Sequence, residues 1–275
     1  YAPHAIYSVS GITLRRIAEE ANRTNSFIHI HASETQHEVE ECEKANKMSP
    51  IAWLDTCGLL TPRTILAHCV HLSESDIALI RNRGSVAVHM PCSNYKLCSG
   101  AFDFRAVYET GHCRVALGTD GCASNNNLSM FDEMKLAALS AKLRSGDPAC
   151  AKAEDVLRIA TRESAEAFGL HAGVIAEGWL GDCILLDPDS PHLVPEHNLA
   201  ANMVYSADTS CVDTVICAGR ILMKDKAIPG ERDIIAAARP FMAPPAGIDA
   251  FTADHGNPAF DAAMIAYVSH FTTKG

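Results

Sequence analysis

Short apolar segments alternate with helix-forming segments along the first half of the chain. Between residues 10 and 146, β-branched runs are separated by stretches whose apolar residues recur at helical spacing. This alternation is typical of repeated βα units around a parallel sheet. We expect strands at residues 27–31, 64–68, 85–90 and 114–118. No run of about 18 apolar residues interrupts the pattern, so no membrane span is predicted.

Capping residues mark the helices between these strands. Ser10 is a candidate N-cap, Ser73 and Asp76 resemble a capping box, and Gly84 stands where a helix ends in a left-handed conformation. One apolar stripe comprises Leu14, Ile17, Ala18 and Ala21, and another comprises Met130, Met134, Ala137, Ala138 and Ala141. A further helix is expected near residues 154–168. These apolar residues are expected to form the core.

The pattern changes after residue 170, which we take as the end of a first domain spanning residues 1–170. Gly, Pro and Asp then punctuate short β-like runs at residues 183–186, 201–205, 212–217 and 220–223. They predict a small β-rich domain over residues 171–230. Residues 231–275 are expected to contain a helix near residues 233–238 and an irregular tail.

Each predicted strand ends in side chains that can bind a metal or move a proton. They are His29 and His31, His68 and His71, His89, and Thr119 with Asp120. The carboxyl ends of parallel barrel strands face the same mouth, so these groups are expected to converge. Imidazole nitrogens and a carboxylate are suitable ligands for zinc or ferrous iron. A single histidine at a strand end is more often structural, but three successive ones followed by an aspartate predict a site.

Charge and cysteine usage narrow the class of protein. The chain has 23 Lys and Arg against 33 Asp and Glu, a net charge of −10, and no basic cluster, which argues against nucleic-acid binding. Its 11 cysteines are scattered without a Cys-x-x-Cys pair. This favours reduced thiols in a cytoplasmic protein over a disulfide framework or a cysteine-based zinc site.

Five segments carry motifs with a distinctive order and spacing. They are Ala2-Pro3-His4 with Tyr7-Ser8, His29-Ile30-His31-Ala32-Ser33-Glu34-Thr35, Leu66-Ala67-His68-Cys69-Val70-His71-Leu72, Ser93-Asn94-Tyr95-Lys96-Leu97 with Ser99-Gly100, and Leu117-Gly118-Thr119-Asp120-Gly121 with Ala123-Ser124-Asn125-Asn126. Together they resemble the amidohydrolase superfamily, and within it the 5-methylthioadenosine/S-adenosylhomocysteine deaminases. The last segment is the most specific.

The resemblance implies a role for five residues. His31 and Asp120 match metal ligands after the fifth and eighth barrel strands, and His68 matches the sixth-strand histidine that polarises the attacking water or the developing oxyanion. Glu34 matches the acid that binds and protonates a purine ring nitrogen, and His4 matches a substrate contact. Asp120 is also expected to move protons and to contact the substrate. The implied cofactor is one divalent metal ion, zinc or alternatively iron, and a homo-oligomer is expected by analogy.

The same resemblance implies the fold: the C-terminal half of a (β/α)8 barrel, from the end of strand four to strand eight, followed by part of a small β-sandwich domain. The family's other two metal ligands form a His-x-His pair on the first strand. The only such pair here, His29-Ile30-His31, already belongs to the fifth-strand motif. We therefore expect about half of a roughly 250-residue barrel to be missing, and weak or no metal binding by this chain alone.

The function expected from these motifs is hydrolytic deamination of an adenosine-type thioether nucleoside, with release of ammonia. Alternatives within the superfamily are a guanine or 8-oxoguanine deaminase and a triazine hydrolase. A non-catalytic half-barrel module is the alternative outside enzymes. For His29 we favour a supporting role beside His31, whereas His71 and His89 are left open between the mouth of the barrel and a structural position.

Overall fold

The computed structural model describes residues 1–242, and its central element is a four-stranded parallel sheet. The strands are β1 (Ile28–Ala32), β2 (Thr64–His68), β3 (Val86–His89) and β4 (Arg114–Leu117), and they lie in that order. All four predicted strands are confirmed, with small shifts at their ends. The register places Ala32 beside His68 and His89 beside Leu117, so the carboxyl ends of the strands share one edge.

Helices connect the strands, as the alternation predicts. They are α1 (Gly11–Thr24) before β1, α2 (Gln36–Asn46) and α3 (Pro50–Thr56) before β2, α4 (Glu74–Arg83) before β3, and α5 (Pro91–Lys96) with a π-helical turn (Arg105–Glu109) before β4. After β4 come α6 (Cys122–Asn125), α7 (Met130–Ser145), α8 (Ala153–Arg158), a π-helical turn (Ile159–Glu163) and α9 (Ser164–Ala167). Within residues 1–242, no helix is long and apolar enough to cross a membrane.

Local capping explains where these helices begin and end. The Ser10 side chain accepts the N–H of Thr13 in the first turn of α1, and Ser73 with Asp76 forms a complete capping box on α4. Gly84 ends α4 with a φ of 69°, a backbone conformation that glycine adopts without a Cβ penalty. These predicted signals are therefore confirmed.

The core lies between the helices and the sheet. α1 buries Leu14, Ala18 and Ala21, whereas the predicted Ile17 is only partly buried. α7 buries Phe131, Glu133, Met134, Ala137, Ala138 and Ala141, and Met130 is partly buried. Glu133 is the unexpected member of this stripe because it is a carboxylic acid with 0% exposure.

The segment before α1 runs alongside β1. The His29 N–H donates to the carbonyl oxygen of Tyr1 at 2.9 Å, and the His31 N–H donates to that of His4 at 3.0 Å. Ala5 forms a parallel bridge with His31. These bonds place the start of the chain as the next parallel neighbour of β1 and bring His4 to the carboxyl edge of the sheet.

Arg114 ties the opposite, amino edge of the sheet together. Its guanidinium donates to the carbonyl oxygens of Pro62 at 2.9 Å and Gly84 at 2.8 Å, which precede β2 and β3. The same group donates to the carbonyl oxygens of Glu166 and Ala167 in α9, at 3.4 and 3.2 Å. One side chain thus joins three segments to β4.

A second sheet follows the helices. It is antiparallel, with β5 (Cys183–Leu186), β6 (Val212–Cys217) and β7 (Arg220–Met223) in that order. The strand predicted at residues 201–205 is wrong, because these residues form α10 (Leu199–Tyr205). Asn198 caps that helix by accepting the N–H of Ala201. A 3₁₀ turn (Thr209–Cys211) precedes β6.

The chain divides into two compact units, Tyr1–Lys226 and Ala227–Gly275. In the second unit α11 (Glu231–Met242) contains the helix predicted at residues 233–238. The predicted tail beyond residue 242 lies outside the described residues. The predicted domain limits at residues 170 and 230, and the assignment of the small sheet to a β-sandwich, stay predictions.

Candidate active site

Five predicted site residues lie at the carboxyl edge of the parallel sheet. The rings of His31 and His68 stack with centroids 5.2 Å apart, because β1 and β2 end side by side. His4 meets His31 edge to face at 4.9 Å. Glu34 follows β1, and Asp120 follows β4. The parallel register, which the sequence only implied, is what collects these side chains at one edge.

The His31 ring is held by a backbone carbonyl. Its Nδ1 atom donates to the carbonyl oxygen of His4 at 2.7 Å, which leaves Nε2 as the nitrogen with a free lone pair. Histidines that bind metals usually have one ring nitrogen fixed in this way. The arrangement is therefore suited to ligation through Nε2.

The His68 ring is oriented by an amide. Its Nδ1 donates to the Oδ1 of Asn94 at 2.9 Å, and both side chains are buried. The other ring nitrogen, Nε2, lies 3.7 Å from the Oε2 of Glu34. Asn94 therefore selects the ring tautomer in which Nε2 accepts a proton. The sequence contained Asn94 only as part of a motif, and this orienting contact was not predicted.

Glu34 is positioned by two further residues. Its Oε1 accepts the hydroxyl of Ser99 at 2.9 Å. The carboxylate of Glu38 accepts the N–H groups of Ser33 at 3.0 Å and Glu34 at 2.8 Å, so it holds the turn that carries Glu34. Burial raises the pKa of Glu38, although these hydrogen bonds oppose the effect. Sequence analysis did not identify Glu38 or Ser99 as site residues.

Asp120 stands on a left-handed turn, with a φ of 60°. Its Oδ2 accepts the hydroxyl of Ser93 and its Oδ1 accepts the N–H of Gly121, both at 2.6 Å. Burial acts to raise the pKa of Asp120, but these bonds and the nearby His68 and His31 outweigh it and lower that pKa. The carboxylate is thus kept ionised and its two oxygens are fixed in direction.

The other three strand-end histidines lie outside this cluster or at its margin. His71 donates through Nε2 to the carbonyl oxygen of Ser99 at 2.7 Å, so it supports the segment that carries Ser99. His89 is 1% exposed and stacks on Phe102 at 4.5 Å, which makes it a core residue. The His29 ring lies 6.4 Å from that of His31, between centroids, and can line the same edge.

The donors at this edge fit part of a zinc site. His31 offers Nε2, and each Asp120 oxygen keeps a lone pair beyond the hydrogen bond it accepts. Nitrogen and oxygen donors of this kind suit zinc and iron. Within residues 1–242, no three His, Cys, Asp or Glu residues are grouped closely enough to hold an ion. The described residues therefore supply fewer ligands than the three that catalytic zinc sites usually draw from protein.

Comparison with known proteins agrees with these motifs. The model of the amidohydrolase family matches residues 1–222. The chain belongs to the amidohydrolase family. Its parallel α/β sheet is that of the family's solved structures. An adenosine deaminase from Xanthomonas campestris with bound zinc is 34% identical, with a TM-score of 0.83 over 87% of this chain and 55% of that one.

Two further relatives of this amidohydrolase are named as deaminases. A 5'-deoxyadenosine deaminase of Methanoregula boonei is 44% identical over 86% of this chain and 53% of its own length. A 5-methylthioadenosine/S-adenosylhomocysteine deaminase of Archaeoglobus fulgidus is 42% identical over 84% of this chain and 55% of its own. This chain thus spans about half the length of the curated relatives it matches. Atrazine chlorohydrolase from Arthrobacter aurescens, with 24% identity and a TM-score of 0.79, shares the fold alone.

Proposed function

We propose that this amidohydrolase takes part in metal-dependent hydrolytic deamination of adenosine-type nucleosides, in the form that its gene encodes. The observation that carries the proposal is the setting of Glu34. Its carboxyl group lies between the Nε2 of His68, at 3.7 Å, and the hydroxyl of Ser99, at 2.9 Å. A carboxylic acid held at this edge of the sheet beside an imidazole is suited to proton transfer on a nitrogen heterocycle.

The metal would be held by His31 and Asp120, the two residues whose donors fit it. When bound, a divalent ion supplies Lewis-acid activation of the attacking water. We propose zinc, the metal bound in the Xanthomonas campestris adenosine deaminase, with iron as the alternative. Zinc titration of the 275-residue chain is expected to show weak or no binding, because the described residues contribute too few ligands.

The residues of this chain divide the proton transfers between them. Asp120 accepts a proton from the attacking water and later passes it to the departing amino group, which leaves as ammonia. Glu34 protonates the ring nitrogen, so that the carbon bearing the amino group accepts the oxygen, and it recovers a proton from the added hydroxyl group when the carbonyl forms. His68 directs Nε2 towards the oxygen that attacks, because Asn94 holds its Nδ1 proton. His4 contacts the substrate beside His31.

The names of the relatives support the substrate class. At 42% and 44% identity, they are a 5-methylthioadenosine/S-adenosylhomocysteine deaminase and a 5'-deoxyadenosine deaminase. Both names describe adenosine derivatives altered at the 5' carbon. We therefore propose a 5'-modified adenosine as substrate, with thioether nucleosides as the first compounds to test. We further propose that the protein forms homo-oligomers.

Ammonia release tests the proposal directly. The protein is purified as its gene encodes it and, in parallel, as the 275-residue chain. Both are incubated with 5'-methylthioadenosine, S-adenosylhomocysteine and 5'-deoxyadenosine, and separately with guanine, 8-oxoguanine and a chlorotriazine. For the chlorotriazine, chloride is measured instead of ammonia, because chlorine is the group that water displaces. We expect ammonia from the nucleosides with the encoded protein. Activity on guanine, 8-oxoguanine or the triazine alone would retain the reaction class and reject the substrate, and silence with all compounds would favour a non-catalytic module.

A variant of Glu34 tests its assigned role. Glu34→Gln keeps the shape of the side chain but removes its acidic proton, so kcat is expected to fall by about 100- to 10,000-fold. Glu166→Gln is the matched control, because the Glu166 side chain on α9 is exposed and its partner within residues 1–242 is the exposed side chain of Arg162. Comparable activity of the two variants would contradict the assignment of Glu34 as the acid.

A further inference from the structure

We propose that Glu133 is a positioning residue for Asp120. The inference rests on the proposed function, which assigns Asp120 its role in the reaction. How Asp120 is held is argued from the hydrogen bonds of the Glu133 side chain. Glu133 lies in the first turn of α7, and its side chain reaches two different loops at the carboxyl edge of the sheet.

One carboxylate oxygen of Glu133 holds the loop that carries Asp120. Its Oε1 accepts the Nδ2 group of Asn125 at 2.5 Å. The same Nδ2 group donates to the carbonyl oxygen of Thr119 at 2.7 Å, one residue before Asp120. Asn125 therefore transmits the position of Glu133 to the peptide that sets the direction of Asp120.

The other oxygen of Glu133 holds the loop that orients the Asp120 carboxylate. Its Oε2 accepts the N–H of Cys92 at 3.1 Å. The next residue, Ser93, donates its hydroxyl to the Oδ2 of Asp120 at 2.6 Å. Glu133 thus fixes two features through two separate chains of hydrogen bonds. Through Asn125 it fixes the backbone that carries Asp120, and through the Cys92 N–H it fixes the loop whose Ser93 hydroxyl orients the Asp120 carboxylate.

The environment of Glu133 is unusual for an acid. Glu133 is 0% exposed, and within residues 1–242 its side chain accepts from N–H groups rather than from a cation. A buried carboxylate is costly unless its oxygens are satisfied, and the positive end of the α7 dipole helps only in part. A purely apolar residue would fill this core position at lower cost. An acid at this buried position therefore favours a specific task.

A second set of hydrogen bonds attaches the Asp120 loop to α5, so the positioning role of Glu133 can be separated from folding. The ammonium group of Lys96, on the exposed side of α5, donates to the carbonyl oxygen of Ala123 and the Oδ1 of Asn126, both at 2.6 Å. This tie joins α5 to the Asp120 loop without Glu133. A change at Glu133 is thus expected to leave the loop attached but to release its fine placement.

The main test is Glu133→Gln in the protein as its gene encodes it. The amide has the size of the carboxyl group but turns an N–H donor towards Asn125 or Cys92, so one of the two paths is lost. We expect kcat to fall by about 10- to 100-fold with KM nearly unchanged, as for lost supporting contacts of a metal ligand. Asn125→Ala, which cuts only the loop path, is expected to reproduce the fall. Glu166→Gln is the control.

A readout independent of activity uses the amide of Gly121. Its N–H binds the Oδ1 of Asp120 at 2.6 Å, so its proton resonance reports where that carboxylate lies. In protein labelled with ¹⁵N-glycine, Glu133→Gln and Asn125→Ala are expected to move the Gly121 resonance, and Glu166→Gln is not. If the wild-type protein releases no ammonia, the proposed function fails, and the Gly121 resonance alone decides on Glu133.

Two results would overturn the positioning role. The first is a folded Glu133→Gln protein with wild-type kcat and an unmoved Gly121 resonance. The second applies if Glu133→Gln does not fold: a folded Asn125→Ala protein in which neither kcat nor the Gly121 resonance changes. In the first case, a lower melting temperature with unchanged kcat and an unmoved Gly121 resonance would mark Glu133 as a purely structural residue.

Discussion

The buried imidazole of His89 makes the fold sensitive to acid. Burial lowers the pKa of His89 from 6.5 to about 3, and the nearby His68 adds to the effect. The ring stacks on Phe102, and its Nδ1 has no hydrogen-bond partner among the described residues. His89 therefore stays neutral in the folded protein at pH values where an unfolded chain protonates it.

The sign and size of the effect follow from proton linkage. Between pH 6.5 and about 3 the unfolded state binds one more proton than the folded state at this position, so stability is lost as the pH falls through that window. In that window the free energy of unfolding changes by up to about 1.4 kcal/mol per pH unit. From pH 7.5 to pH 5, His89 alone is expected to remove about 2 kcal/mol.

Urea denaturation followed by far-UV circular dichroism measures this loss. The free energy of unfolding is compared at pH 7.5 and pH 5 for wild type, His89→Leu and the exposed control His197→Leu. Any packing change in His89→Leu is the same at both pH values and cancels in the difference. We expect His89→Leu to lose about 2 kcal/mol less than wild type, and the control to behave as wild type. Equal losses in all three proteins would refute the reasoning.

Three further substitutions test individual contacts. Ser93→Ala removes a charge-assisted hydrogen bond to Asp120, so steady-state ammonia release is expected to slow by about 10- to 100-fold at an unchanged melting temperature; undiminished activity would argue against this contact. Gly111→Ala would place a Cβ atom 2.8 Å from the carbonyl oxygen of Val107, and urea denaturation should show a loss of about 1–3 kcal/mol. Ser73→Ala removes the N-cap of α4 and is expected to cost about 0.5–2 kcal/mol in the same assay, whereas an unchanged midpoint would show the cap to be dispensable.

Local signals in the sequence predicted local structure well. The strands of the parallel sheet and the capping box at Ser73 depend on residues within a few positions of one another, and both are confirmed. The error at residues 201–205 has a physical reason. A short apolar run suits a buried strand and a buried helix equally, and periodicity cannot separate them over five residues. The Asn198 cap was the signal that favours a helix.

The supporting residues of the candidate site could not be predicted in the same way. Glu133 bonds to Cys92, 41 residues away, and Asn94 bonds to His68, 26 residues away. Neither pairing leaves a local pattern, because each depends on which strands become neighbours. The spacing of α7 marked its buried face but gave no reason to place an acid there. Strand-end histidines are visible in the sequence, whereas the residues that orient them appear only after folding.

The four hydrogen bonds of Arg114 bear on how long the folded state lasts. Their acceptors lie 30 to 53 residues away along the chain, so the guanidinium is satisfied only after three separate segments have docked. Interactions that form after the rate-limiting step slow unfolding and leave the folding rate almost unchanged. A lysine could not serve the same acceptors with its single ammonium group. We therefore expect Arg114→Ala to speed unfolding of the sheet more than it slows folding.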